Sequence, residues 1–117
     1  MDKDFQERVQ DWVLTCFCEE VALDRTERNR RFLEEALELV QSLGASKAFA
    51  HDLVDYVFSR PEGEAVQEVG GVMVTLASLC ATQGIDMVEA GEDELSRIAH
   101  PEVIAKIRAK HAEKPEF

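Results

Sequence analysis

The sequence predicts an all-α protein, a single domain over residues 1–117 built as a compact bundle of about five to six helices. Three observations predict it. Apolar residues recur at three- and four-residue steps along almost the whole chain, which is the helical period. No segment alternates as a strand does. Gly44, Pro61, Gly63, Gly84 and Pro101 punctuate the chain between the periodic segments, while Gly70 and Gly71, considered below, lie inside one.

The first helix carries Phe5, Val9, Trp12, Val13, Cys16 and Phe17 on one stripe. The second runs from about Arg25 to Leu43, with Phe32, Ala36, Leu37, Val40 and Leu43 on its apolar side, and Gly44 follows as a C-terminal stop. Ser46 caps a third helix through Phe58 that turns Phe49, Leu53, Tyr56 and Val57 inward. Pro61 and Gly63, in Ser-Arg-Pro-Glu-Gly-Glu, break the chain. A fourth helix spans about Glu64 to Gln83 and ends at Gly84. Asp86 with Glu89 has capping-box spacing and opens a fifth element. Pro101 suits the first turn of a last helix, and the tail from Glu113 to Phe117 is expected to fray.

Composition narrows the function. The chain has 117 residues and a net charge of −11, with no basic run to offset it, which argues against nucleic acid as a partner. No apolar run approaches the ~20 residues that span a bilayer. The N-terminal segment lacks the basic-then-apolar order of a signal peptide, so the expectation is a cytoplasmic protein without membrane contact. Cys16, Cys18 and Cys80 lie in apolar segments without zinc-ligand spacing and are expected to be core thiols.

Two acidic positions stand out. Glu34 and Glu38 are four residues apart and Glu35 and Glu38 three, so their carboxylates share a patch opposite the Phe32, Ala36, Val40 stripe. Glu27 with Arg31, Arg30 with Glu34 and Arg31 with Glu35 stand at four-residue spacing, and such pairs can neutralise a solvated acidic face. The second position is Glu68, the only formal charge between Ala65 and Gly84. A segment so apolar is expected to be a central buried helix. A carboxylate within it then has to be protonated, paired, metal-bound or near a helix end, because an uncompensated buried charge costs on the order of several kcal/mol. Gly70 and Gly71 follow at once, and two glycines inside a helix cost about 1 kcal/mol each relative to alanine. They point to close approach by another helix or a ligand.

Glu-Glu-Ala-Leu-Glu (34–38), followed one helix later by Glu-Val-Gly-Gly (68–71), resembles the all-α nucleoside triphosphate pyrophosphatase superfamily, the MazG-like proteins. That family's signature is two adjacent glutamates, a third three residues on, and a later glutamate with an aspartate three residues after it. The likeness extends through Asp86–Ile98 and into the last helix. It implies a hydrolase that converts a nucleoside triphosphate to the monophosphate and pyrophosphate. The implied cofactor is Mg2+, with Mn2+ as the alternative, held by Glu35, Glu38 and Glu68 with Glu34 beside them; all four glutamates are the implied catalytic set. It further implies assembly through paired helices as a homodimer or homotetramer, to which Phe5, Trp12, Phe17 and the Val72–Leu79 segment could contribute. The family's last aspartate falls on Gly71, so one ligand has to come from water, substrate or elsewhere in the chain.

A basic group is expected on the phosphates: Arg28 or Arg31, or Lys106, Arg108 and Lys110 of the last helix, all of which also suit a solvated basic face. His51 and Asp55 read as a surface hydrogen bond, Trp12 as core or subunit interface rather than a base-stacking ring. The alternative of a different class is a helical interaction module that kept the scaffold and lost the reaction, which Gly71 favours. An unrelated helical adaptor is a third reading and requires Glu68 to be exposed or paired with a basic residue.

Overall fold

The computed structural model describes residues 4–113, and every regular element in them is helical. The tail expected to fray lies, from residue 114 on, outside the described residues. The helices are α1 (Phe5–Cys16), α2 (Glu19–Ala22), α3 (Arg25–Ser42), α4 (Lys47–Phe58), α5 (Ala65–Thr82), α6 (Met87–Ile98) and α7 (Pro101–Glu113). That is seven against the five to six expected, the added element being the single turn of α2, too short to carry a period.

Helix ends follow local chemistry. Side chains of Asp4, Asp24, Ser46 and Asp86 each accept from the backbone N–H three residues on, at 2.8 to 3.1 Å, removing an orphan donor at the N-termini of α1, α3, α4 and α6. Gly44 and Gly84 adopt positive φ, 95° and 66°. In each case the next residue donates back into the helix, Ala45 to Val40 O and Ile85 to Cys80 O, both at 2.9 Å. This is the closure that glycine makes inexpensive.

The chain forms two units: residues 1–23 with 75–117, and Asp24–Val74. The first holds the apolar core. Val13, Cys16, Ala22, Cys80 and Leu95 are its buried side chains, and α1 packs on α2 and α7 while α6 packs on α7. Side-chain clamps on helix ends reinforce it. Trp12 Nε1 donates to Ile98 O at 2.8 Å, at the C-terminal end of α6. The Arg108 guanidinium donates to the carbonyls of Thr15 and Cys16 that end α1. Phe17 meets the ring of His111 edge-on at 5.0 Å. Between α1 and α6 the Phe5 ring lies close over Gly91, where a Cβ would come within 3.3 Å of it and the ring would have to give way. Arg8 forms a two-pronged ion pair with Glu92 at 2.8 and 2.5 Å. Phe5, Trp12 and Phe17 thus each make a contact inside this unit.

The second unit differs. Among the described residues it buries one side chain, that of Glu27, and no apolar one. The α4 face expected to turn inward (Phe49, Leu53, Tyr56, Val57) is 45 to 56% exposed. Phe32 and Leu37 of α3 are exposed as well, with Ala36 and Val40 half-buried. The expected burial of α5 is overturned: none of its 18 residues lies within a closed interior, and only Cys80, in the first unit, is buried by its own neighbours. With mean hydropathy 1.3 over Ala65–Thr82, α5 also passes the length and composition test for crossing a membrane, contrary to the sequence expectation that no run comes near it. The core helix of a soluble protein passes the same test.

Trp12→Phe keeps most of the ring but removes the donor to Ile98 O. A loss of about 1 kcal/mol is expected, read from urea unfolding of the purified chain. A second expectation concerns acid. Hydrogen bonds from Arg8 and Arg97 hold the Glu92 and Glu94 carboxyls below their ordinary range. Depressed folded values mean these pairs stabilise above the ordinary carboxylate range and lose that contribution as pH falls through the folded values. Glu92→Gln with Glu94→Gln should flatten the fall in thermal midpoint from about pH 6 to about pH 3, by a small amount because both pairs meet water.

Candidate functional site

The acidic cluster begins one turn into α3. Asp24 caps the helix through Glu27 N, and the Glu27 side chain, 7% exposed, faces two arginines. Arg31 Nε donates to it at 2.8 Å and Arg30 approaches at 3.2 Å. A carboxylate so shielded persists because it is paired on both sides and sits in the first turn, where the helix dipole favours negative charge. Burial also lowers the Arg28 guanidinium from its ordinary value, partly offset by Glu27. The sequence analysis recognised Glu27 only as a surface partner of Arg31. The signal that could have singled it out was there: an N-cap aspartate three residues before and arginines one, three and four residues after.

Beyond Glu27 the acids change character. Glu34 is half-buried and reaches Arg31 only at 3.8 Å, as the longer of that arginine's two pairings. Glu35 and Glu38 are exposed on the same helix. Glu38 makes no ion pair or side-chain hydrogen bond among the described residues. The structure therefore places Glu34, Glu35 and Glu38 along one helix at the expected spacing, with Arg31 engaged chiefly by Glu27 rather than by the cluster.

Glu68 meets one of the conditions set for a carboxylate in so apolar a helix, a place near the helix end. It is exposed, in the first turn of α5. Its carboxylate folds back over the α4–α5 turn, where a Cβ on Gly63 would lie 3.3 Å from Oε2. There it lines an open depression of about 940 Å³ with Val57, Phe58, Arg60, Pro61, Glu62, Gly63 and Ala65. Arg60 stacks on the Tyr56 ring at 4.4 Å beside it. The physical reason for the exposure is that α5 has no cover in its own unit, so nothing forces its one charge to find a partner. Among the described residues no three His, Cys, Asp or Glu side chains converge as a cation would need.

Gly70 and Gly71 carry no neighbour within 4 Å of the position a Cβ would take. Close packing inside the chain, expected from the glycine pair, is not what they serve here. The basic candidates divide. Arg31 belongs to Glu27, and Arg108 is engaged by the α1 carbonyls. Lys106 and Lys110 are exposed on α7, in the first unit, whereas the acids are all in the second. His51 and Asp55 are both exposed on α4 and make no hydrogen bond to each other among the described residues.

Of the three cysteines, Cys16 and Cys80 are buried as expected, but Cys18 is exposed at the N-cap of α2. It lies where the chain leaves α1, and the short α2 that follows cannot enclose it.

No family model matches the chain, nor does any curated protein or solved structure.

Burial raises the Cys16 thiol above its ordinary value, and the nearby Arg108 only partly opposes this. Since the thiolate is the reactive form, iodoacetamide should label Cys18 first in the native protein. Cys16 and Cys80 should label at comparable rates only in denaturant, as peptide mass mapping over a time course would read.

Proposed function

We propose that the protein is a Mg2+-dependent nucleoside triphosphate pyrophosphohydrolase of the cytoplasm, releasing pyrophosphate from an NTP or dNTP. What supports the reading is the resemblance carried by residues 34–38 and 68–71, together with one geometric observation. Glu38 presents a carboxylate without a partner among the described residues, beside Glu34 and Glu35, while the adjacent arginines are drawn to Glu27. A carboxylate such as that of Glu38, next to two others on one helix face, has affinity for a dication, because each carboxylate raises the cost of its neighbours' charge until a cation relieves it. Mg2+ is bound in nucleotide enzymes by one or two carboxylates plus phosphates and water, a requirement that Glu35 and Glu38 can meet without Glu68.

The interaction-module reading has its own observation. Glu68 is exposed and Gly71 offers no side chain, so the second half of the acid pattern has lost both its expected setting and one ligand. The two readings separate in one assay. The enzyme should release pyrophosphate from at least one member of a panel of canonical and modified nucleoside triphosphates, with Mg2+ and not without it. Glu38→Gln should lower that rate on the order of 100-fold or more, given that even groups supporting a metal ligand from behind are worth about 10- to 100-fold. Absence of pyrophosphate release across the panel, together with a flat calorimetric Mg2+ titration, would leave the module as the function. Gly71→Asp sharpens the test: no atom outside its own helix turn lies within 4 Å of the position its Cβ would take. A gain in both Mg2+ affinity and rate would mark the glycine as a lost ligand.

A further inference from the structure

We infer that the depression at the α4–α5 turn is a binding site for a short peptide with free ends and apolar side chains. The hollow measures about 940 Å³ and is built from one stretch of chain, residues 57–68, inside the Asp24–Val74 unit. That volume lies toward the upper end of what small-molecule sites span, about 300 to 1,000 Å³. A single amino acid would leave most of it unfilled.

Local chemistry shapes the hollow. Ser59 N and Arg60 N close α4 on Asp55 O and Val57 O at 3.1 and 3.2 Å, and α5 opens with Glu68 N on Glu64 O at 2.9 Å. Residues 61–64 between them have no regular structure. Pro61 fixes one φ there and brings no N–H that needs an acceptor. Gly63 leaves the space in which the Glu68 side chain lies, since a Cβ on it would meet Glu68 Cδ at 3.2 Å. Val57, Phe58, Pro61 and Ala65 supply the apolar part of the wall. Phe58 is 84% exposed, so its ring is open to a ligand's apolar groups.

The charges say what the ligand carries. Arg60, Glu62 and Glu68 share the lining, yet none of the three forms an ion pair among the described residues. The Arg60 guanidinium lies over the Tyr56 ring, 4.4 Å from its centroid, held by the ring's π face rather than by an acceptor. Opposite charges that line one hollow without pairing suit a ligand that bears both. The carboxylate end of a peptide meets the Arg60 fork, which is shaped to grip it with two hydrogen bonds. The ammonium end meets Glu68, with Glu62 adding to the attraction, and the apolar side chains cover Phe58. A wholly anionic ligand, a triphosphate included, would face two carboxylates against one guanidinium. The inference therefore stands apart from the pyrophosphohydrolase reading.

The test is an NMR titration of the full, isotope-labelled chain with the dipeptide leucyl-phenylalanine to several millimolar, without Mg2+ or nucleotide. Backbone amides within residues 57–68 should shift and saturate. Blocking one end, as the N-acetyl dipeptide or as the dipeptide amide, should weaken binding by about two- to fivefold, the range of an exposed ion pair. Arg60→Gln should weaken the free dipeptide by a similar factor and leave the affinity of the dipeptide amide unchanged. Glu68→Gln should weaken the free dipeptide and spare the N-acetyl form. A merely structural role for either residue would not match variant to blocked end in this way. Phe58→Ala, at a position too exposed to matter much for stability, should weaken all three ligands several-fold. No saturable shift within 57–68 overturns the proposal, and so does equal binding of the free and both blocked dipeptides. Tighter binding of free phenylalanine than of the dipeptide would overturn it in favour of an amino-acid site. Pyrophosphate release enters none of these readouts, so failure here and failure of the hydrolase reading are separate results.

Discussion

The constraint on which the rest of the structure depends is that burial and helix are unevenly shared along the chain. Among the described residues, the unit of 1–23 and 75–117 supplies the buried apolar side chains, whereas Asp24–Val74 supplies three helical segments with their apolar faces largely open. In proteins most helical stability comes from packing of an apolar face rather than from the helix itself, and the 12-residue α4 is short enough to be marginal alone. The open face of α4, the exposure of Glu68 and the empty space around Gly70 and Gly71 share one cause. Each is a consequence of α5 lacking an inner side within its own unit. Glu68 then faces no pressure to pair or protonate, because water reaches it.

The first unit solves the opposite problem, a small core that has to hold five helices or parts of helices. Its few buried side chains are supplemented by groups that act on helix ends. The Trp12 indole reaches the last turn of α6 and the Arg108 guanidinium reaches the last carbonyls of α1. Both satisfy acceptors that a helix leaves open at its C-terminus, and the arginine also complements the negative end of the dipole. The ion pair of Arg8 with Glu92 adds direction more than energy, because both side chains remain about 40% exposed. These contacts tie α1 to two other helices without demanding large side chains at the seam, as Gly91 under Phe5 illustrates.

This division explains what the sequence made legible. Caps, stops and periodicity are local, so α1, α3, α4, α5, α6 and α7 appear within one or two residues of their expected bounds, with Asp86 and Gly44 acting as read. Burial is not local. Phe49 and Val69 look like core residues by spacing alone, because spacing records that a face is apolar and not what covers it. Cys18 was misread for a related reason: it follows a buried stripe in sequence but sits beyond the end of its helix. The acids of α3 were legible as a cluster because helical spacing fixes their neighbourhood. Their relation to Glu68 was not, since that depends on tertiary placement of another helix.

Glu27 shows how one buried group organises its neighbours. Its carboxylate lies at the N-terminal end of α3, where the dipole and the Asp24 cap already favour negative charge, and it draws Arg30 and Arg31 toward itself. The acids that follow, Glu34, Glu35 and Glu38, occupy the C-terminal half of the same helix, where the dipole opposes them. Had the arginines instead leaned forward by one turn, ordinary ion pairs would have neutralised the cluster and left Glu27 buried and uncompensated, at a penalty of several kcal/mol. The helix resolves that competition in favour of the shielded group, because a charge already removed from water gains more from a partner than an exposed one does. Arg31 still reaches Glu34 at 3.8 Å, so the first of the later acids shares a partner that Glu27 holds more closely.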